Sequence, residues 1–272
     1  MNPAGLLEVT AVRHVTPRTV RVTFTGDGLA ELEPWPDQQL KLLFPPPGHP
    51  VRLPAAEDDV MRWYQAYLAI PEAERPVMRS YTVRARDGDT IDVDFVLHTG
   101  PAGPATAWAA QAAVGDVLGR YGPDPAYRRP LSTADTLLCA GDETAIPAVA
   151  SLMSEVDNAV VFLEVADAAE EQPLPGEVHW LHRDGAGHGR KLVEAVRGAA
   201  LPDGAVAAWL AGEASTVRAL RRHLVGERGW AKSVIEFTGY WRRSLTQDDA
   251  PTPEDLADAA EKLEDSTGWK GN

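Results

Sequence analysis

A second cysteine is missing. Cys139 is the only thiol in the sequence, so no internal disulfide can form. A lone thiol in the apolar run "DTLLCAGDE" reads as a small core residue, not a metal ligand or redox centre. Long apolar runs are missing too, since none approaches the roughly 18 residues that a membrane-spanning helix needs. The opening "MNPAGLLEVTAVRHV" lacks the basic segment and apolar core of an export signal, so a cytoplasmic location is expected. Positive charge is short: 26 Lys and Arg face 40 Asp and Glu, for a net charge of −14. That balance argues against sequence-independent contact with nucleic acid. It also repels anionic small molecules, so an anionic substrate needs a local group of cations. No G-x-G-x-x-G occurs, and the seven histidines show no metal-ligand or Ser/His/Asp spacing; no resident metal is expected.

What remains is ordinary globular composition, 44% hydrophobic and 24% charged over 272 residues, a length that favours two domains. Residues 1–129 read as β-rich. "RTVRVTFTG" alternates Val20, Val22 and Phe24, and "TIDVDFVLH" alternates Ile91, Val93, Phe95 and Leu97, each with the period of a half-buried strand. Short strands between Gly/Pro turns fit an antiparallel barrel. The stretch from Phe44 to Pro76 is proline-rich at its start and predicts an excursion at the rim with one helix in its middle.

From Pro130 the pattern changes. "ADTLLCAGDE", "NAVVFLEV", "EVHWLHRD" and "AVAAWLAGE" are near-continuous apolar runs, as in strands covered on both faces. Between them lie helical stretches: "TAIPAVASLMSEV", "GRKLVEAVRG" and "STVRALRRHLVGER", the last with Ser215 as its N-cap. Residues 130–243 therefore predict a doubly wound α/β domain with a parallel sheet. Residues 244–272 form an acidic tail, in which Thr252 caps and Pro253 opens a short helix. Leu256, Ala259, Ala260 and Leu263 make that helix's apolar face.

The tetrad Arg79-Ser80-Tyr81-Thr82 on one strand combines three useful groups. A guanidinium can hold a pyrophosphate, an aromatic ring can cover a flavin face, and a threonine can hydrogen-bond near the flavin's reactive nitrogen. Downstream, "HTGPAGPATAWAAQAA" supplies Gly100, Gly103 and Pro104 for close backbone approach, with a helix expected to start near Thr106. His98 either touches the flavin or caps the turn. In the second half, Gly141-Asp142-Glu143-Thr144 and Gly212-Glu213 each join a buried strand to a helix, where nucleotides sit in such sheets. Glu164 or Asp167 could hold a ribose diol, which favours NADH over NADPH, whereas Arg183 could accept a 2′-phosphate.

In order, "RSYTVR", "DVDFVLHTGPAGPATAWA", "GDETAIPA", "WLAGE" and "GYWR" resemble the siderophore-interacting protein family, flavin-dependent ferric-siderophore reductases related to ferredoxin reductases. The resemblance runs from about Val9 to Arg242. It implies an N-terminal Greek-key β-barrel for FAD and a nucleotide-binding α/β domain. FAD contacts are implied at Arg79, Ser80, Tyr81, Thr82, Asp94, Val96, His98, Gly103, Pro104, Ala105 and Thr106. Nucleotide contacts are implied at Asp142, Glu143, Thr144, Ala145, Gly212 and Glu213. A basic cluster for the ferric complex is implied at Lys41, Arg242 and one of Arg120, Arg128 or Arg129. Where the family often continues Tyr-Trp-Arg-x-Gly, Arg243 is followed here by Ser244.

The expected activity is reduction of a ferric siderophore, with electrons passing from NADH or NADPH through FAD to Fe(III); a ferredoxin is the alternative donor. The cofactor carries such chemistry, which explains the lack of acid–base machinery. Two other readings keep parts of this scheme: a flavin reductase serving another acceptor, and a non-catalytic siderophore carrier.

Overall fold

The computed structural model describes residues 4–54, 59–98, 103–123, 134–201, 205–245 and 249–268. Six antiparallel strands close a barrel: β1 (Ala4–Thr16), β2 (Thr19–Thr25), β3 (Gln39–Phe44), β4 (Val77–Asp87), β5 (Thr90–Val96) and β6 (Val117–Tyr121). Their order around the barrel is β1-β2-β5-β4-β3-β6. The alternation read from the sequence decides which side faces in, since Val22, Phe24, Val93, Phe95 and Leu42 are fully buried. Helix α2 (Pro104–Ala109) starts two residues before the expected Thr106 because Pro104 occupies its first turn after Gly103. Its Trp108 stacks on Phe24 at 6.1 Å and meets the rings of Phe44 and Phe95. The proline-rich excursion carries α1 (Val60–Leu68), capped by Asp59 on the Arg62 N–H at 2.9 Å. It buries Trp63, whose ring lies 4.1 Å from that of Tyr121.

The second domain is a parallel sheet of β7 (Thr136–Asp142), β8 (Ala159–Val165), β9 (His179–His182), β10 (Val206–Glu213) and β11 (Ile235–Trp241), ordered β11-β10-β7-β8-β9. Alternate residues of β7 feed two cores. Leu137 and Cys139 pack with Ile146, Val149 and Leu152 of α3 (Ile146–Met153). Leu138 and Ala140 pack with α4 (Arg190–Gly198) and α5 (Ala214–Gly226) on the other face. Helices on both faces explain the unbroken apolar runs. One helix start is corrected: α5 is capped by Glu213, not Ser215, whose hydroxyl instead donates to the Glu213 carboxylate at 2.5 Å.

The acidic tail forms α6 (Pro253–Gly268), and Thr252 accepts from the Asp255 N–H as expected. Its mode of attachment differs from the apolar face predicted. Leu256 is 57% exposed, and Ala259 and Ala260 are exposed as well; the side chain of Leu263 lies outside the described residues. The helix docks by charge: Asp255 and Asp258 pair with Arg218, and Glu261 with Arg221 and Lys232. Arginines on α5 offer more to a carboxylate-rich segment than its small apolar residues offer to a core.

The domains are pinned by Asp37 in the loop before β3. Its carboxylate accepts from Trp209 Nε1 at 3.1 Å and Tyr240 OH at 2.9 Å, both from the second domain. Its backbone N–H donates to Ser151 Oγ of α3 at 3.1 Å. A second tie joins Glu170 to Thr16 Oγ1 and the Arg18 N–H. Hydrogen bonds to a charged group contribute about 1.5–3 kcal/mol each. Asp37→Ala is expected to cost about 3 kcal/mol and to split one calorimetric unfolding transition into two. A single transition at the wild-type temperature would remove the interdomain role. Raising salt should increase hydrogen exchange in Glu254 to Glu261 before any sheet residue responds, because partly exposed ion pairs are screened; simultaneous loosening would refute ionic docking.

Candidate functional site

The register of β3 against β4 sorts the tetrad into two faces. Tyr81 lies opposite Leu40 and Arg79 opposite Leu42, while Ser80 lies opposite Lys41 and Thr82 opposite Gln39. Tyr81 packs on Phe95 at 4.5 Å and on Phe44 at 6.3 Å. Burial raises its pKa, with Arg79 opposing, so the phenol stays protonated. Arg79 donates to the Met78 carbonyl at 2.9 Å. On the other face, Thr82 is buried opposite Gln39, whose Nε2 lies 3.2 Å from the Tyr240 phenol, and β4 packs against α3. Burial first, and then the Asp37 charge, hold Tyr240 protonated. The flavin-type strand therefore touches the second domain directly.

His98 follows β5, exposed, with its ring 6.0 Å from Trp241 of β11. Val96 and Thr106 are half-buried, Ala105 is buried, and Gly103 and Pro104 are exposed. Gly100 lies outside the described residues. Asp94 is a correction: its carboxylate is held bidentately by Arg21 at 2.5 and 2.7 Å, so it braces β2 against β5.

At the C-terminal edge of the parallel sheet, most of the expected nucleotide contacts serve the chain itself. Asp142 accepts from the Thr144 N–H at 2.9 Å, the Glu213 N–H at 2.8 Å and Trp241 Nε1 at 2.9 Å, and from the Thr144 hydroxyl. Gly212 adopts φ +133, and a Cβ there would stand 2.6 Å from the Asp142 carboxylate, so glycine is required. Glu213 caps α5 through the Thr216 N–H at 2.9 Å. Burial opposes its charge, yet donors from Ser215 and Thr216 hold its pKa below the usual value. Glu143 forms a bidentate pair with Arg183 at 2.6 and 2.7 Å. Ala145 is fully buried against Gly141, where a Cβ would come within 2.4 Å of its own.

The two carboxylates expected to hold a ribose diol also have partners within the chain. Glu164 is fully buried and accepts from the Gly189 N–H at 2.7 Å and the Leu192 N–H at 3.0 Å. It caps α4 and offers nothing to a ribose. Asp167 caps a 3-10 turn by accepting from the Ala169 N–H at 3.0 Å.

The proposed basic cluster does not assemble as such. Lys41 is exposed, with Nζ on the Ser80 hydroxyl. Arg120 is only 1% exposed and donates to the carbonyls of Gly122 at 2.8 Å and Asp27 at 2.7 Å. It is a structural guanidinium that satisfies carbonyls at the barrel end, which corrects its assignment to substrate. Arg242 donates to Asp255 at 2.9 Å and to the Ala250 and Asp249 carbonyls. Arg128 and Arg129 lie outside the described residues.

Two family descriptions match the chain: "Siderophore-interacting FAD-binding domain" over residues 8–127 and "Siderophore-interacting protein" over residues 134–244. Ferric vibriobactin reductase ViuB of Vibrio cholerae is 32% identical over 262 residues, covering 89% of this chain and 91% of that protein. The chain belongs to the siderophore-interacting protein family. The crystal structure of a siderophore utilization protein from T. fusca superposes with a TM-score of 0.77 at 38% identity, covering 92% of this chain and 97% of that one. A ferredoxin reductase of carbazole 1,9a-dioxygenase shares the fold at 19% identity and a TM-score of 0.61, covering 88% and 69%.

Two features of the barrel of this siderophore-interacting protein fit the FAD that its family description names. Gly103 fronts open space, with no atom within 4 Å of where a Cβ would stand. Tyr81 is packed from behind by Phe44 and Phe95 yet only half-buried. Sequence reasoning missed Asp37, Trp241 and the Glu143–Arg183 pair. The first had one signal, an aspartate in a "PDQQ" turn, where φ is +56.

Asp142 titrates at about 6, raised first by burial and then by the Glu143 charge. Its folded pKa lies above the ordinary 3.8, so the folded chain binds a proton that the unfolded chain has released between about pH 4 and 6. Asp142 thus favours folding at low pH, and that contribution is lost as pH rises through about 6. Asp142→Asn is expected to flatten the pH dependence of unfolding free energy in this window by up to about 1.4 kcal/mol per pH unit. An unchanged slope would place the titration elsewhere.

Proposed function

We propose that this protein is a cytoplasmic reductase that passes electrons from a reduced nicotinamide nucleotide, through FAD, to an Fe(III)–siderophore, releasing Fe(II). The observation that carries the reading is the seam between the β3–β4 pair and β11, where Gln39, opposite Thr82 of the flavin-type tetrad, hydrogen-bonds Tyr240 of the second domain. Such a seam supports reading the barrel strand and the parallel sheet as parts of one electron-transfer unit. Bound FAD supplies the exchange between a two-electron donor and a one-electron acceptor, so that one nicotinamide reduces two ferric ions.

The chain's own residues bind and orient. In this reading Arg79 holds the FAD pyrophosphate, Tyr81 covers the ring with its half-buried face, and Thr82 meets the ring edge. Lys41, exposed on the same strand face as Thr82, is the cation this reading assigns to that edge. Against a net charge of −14, a local ammonium is what an anionic ferric complex needs. Arg242 joins it when Asp255 lets go.

The test begins with the visible spectrum of the purified protein, where flavin bands are expected near about 370 and 450 nm. Anaerobic addition of NADH or NADPH and a ferric catecholate should then yield Fe(II), trapped by a colorimetric chelator. Lys41→Ala is expected to raise KM for the anionic complex about fivefold, roughly 1 kcal/mol, while flavin reduction by nucleotide is unchanged. Equal rates with the alanine variant and wild type would turn the reading toward another acceptor. Iron-complex binding without any flavin would leave a carrier.

A further inference from the structure

Phosphates of nucleotides commonly bind where helix N-termini meet the carboxyl edge of a parallel sheet. Here those positions are already filled by carboxylates of the chain. Asp142 accepts from the Thr144 N–H, Glu164 from those of Gly189 and Leu192, and Glu213 from that of Thr216. Arg183, the guanidinium among them, is paired with Glu143 at 2.6 Å and lies 3.7 Å from Glu164. A pyrophosphate placed at any of these helix starts would meet a fixed negative charge.

The loop between β9 and α4 differs, because its one carboxylate, Asp184, is paired with Lys191 at 3.4 Å. Its sequence, Asp184-Gly185-Ala186-Gly187-His188-Gly189, alternates glycine with other residues. Gly185 and Gly189 adopt φ +85 and +77, and nothing lies within 4 Å of a Cβ at Gly185. Among the described residues, the N–H groups of Gly185, Gly187 and His188 make no hydrogen bond. His188 Nδ1 is buried and also without a partner, its ring edge-on to Trp241 at 5.2 Å. Over the loop lies Arg243, whose Nη1 is 3.8 Å from the Cβ position of Gly187. Arg243 is exposed and pairs with no carboxylate among the described residues.

We infer that Arg243 and the Gly185–His188 loop form the seat for a phosphate group of an adenine dinucleotide. This rests on the reading of a nicotinamide nucleotide as donor. The seat follows β9, beside the end of β8, and the second strand of such a sheet is where the adenosine half lies. The guanidinium supplies charge, and the free N–H groups supply direction. Both the pyrophosphate and the 2′-phosphate of NADP present this chemistry.

Isothermal calorimetry of the FAD-loaded protein with NAD+ and NADP+, neither of which reduces flavin, tests the seat. Arg243→Gln is expected to raise Kd at least fivefold, with flavin spectrum and melting temperature unchanged. Arg52→Gln, which alters net charge equally on the far barrel surface, should leave Kd at the wild-type value. A loss shared by both nucleotides identifies the pyrophosphate, and a loss confined to NADP+ identifies the 2′-phosphate. Wild-type affinity in Arg243→Gln, or a loss no larger than that of Arg52→Gln, overturns the seat while leaving the donor intact. If wild type binds neither nucleotide at millimolar concentration, and dithionite but neither NADH nor NADPH reduces its flavin, the donor reading falls and the seat falls with it.

Discussion

A barrel carboxylate holding two side chains of the neighbouring domain is the constraint on which the remaining arrangement depends. Asp37 stands in a left-handed backbone conformation, φ +56, which is uncommon for a residue with a side chain. What sustains it is a full set of donors, Trp209, Tyr240 and Gln39, around one carboxylate. Fixing Tyr240 also fixes its neighbour Trp241, whose indole reaches Asp142, and thereby the ends of β7, β10 and β11. The phenol's second contact, to Gln39 of β3, carries the same registration into the barrel. Two separately packed domains thus share one polar seam.

The sheet's outer edge shows a related economy of charge. Carboxylates that in a sequence look like ligand contacts are the fold's own caps, each answered by backbone N–H groups or by an arginine. Arg21, Arg120 and Arg183 likewise satisfy internal acceptors. Much of the formal charge is therefore internal bookkeeping. The field an approaching anion meets is set by the few cations left over, Lys41 and Arg243 among them.

Much of the architecture was legible from local pattern. "TIDVDFVLH" placed β5 because alternation reports a half-buried strand, and the apolar runs placed β7, β8 and β10 because a strand covered on both faces has no polar side. Boundaries slipped where capping competed: Ser215 is a good cap by type, but Glu213 starts the helix two residues earlier by accepting from the Thr216 N–H. The site was less legible. The type of residue at Asp142, Glu143 and Glu164 was evident, yet whether a carboxylate faces ligand or protein depends on partners such as Trp241, 99 residues away from Asp142. The same holds for Arg120, an arginine whose burial no neighbouring residue announces. The tail helix was found by its capping residues, whereas its docking face depended on arginines of α5 that no helical periodicity within the tail reveals.

Cys139 lies in the central strand, fully buried between the two helical layers, with burial pushing its thiol up to about 12. Reduced flavin and ferrous iron both hand electrons to dioxygen, and the peroxide so formed attacks thiolates before thiols. A sulfhydryl kept protonated and away from solvent is a poor target for such by-products. The protein's sole thiol thus sits where oxidative wear from the proposed reaction would reach last, and no disulfide between copies forms without unfolding the sheet.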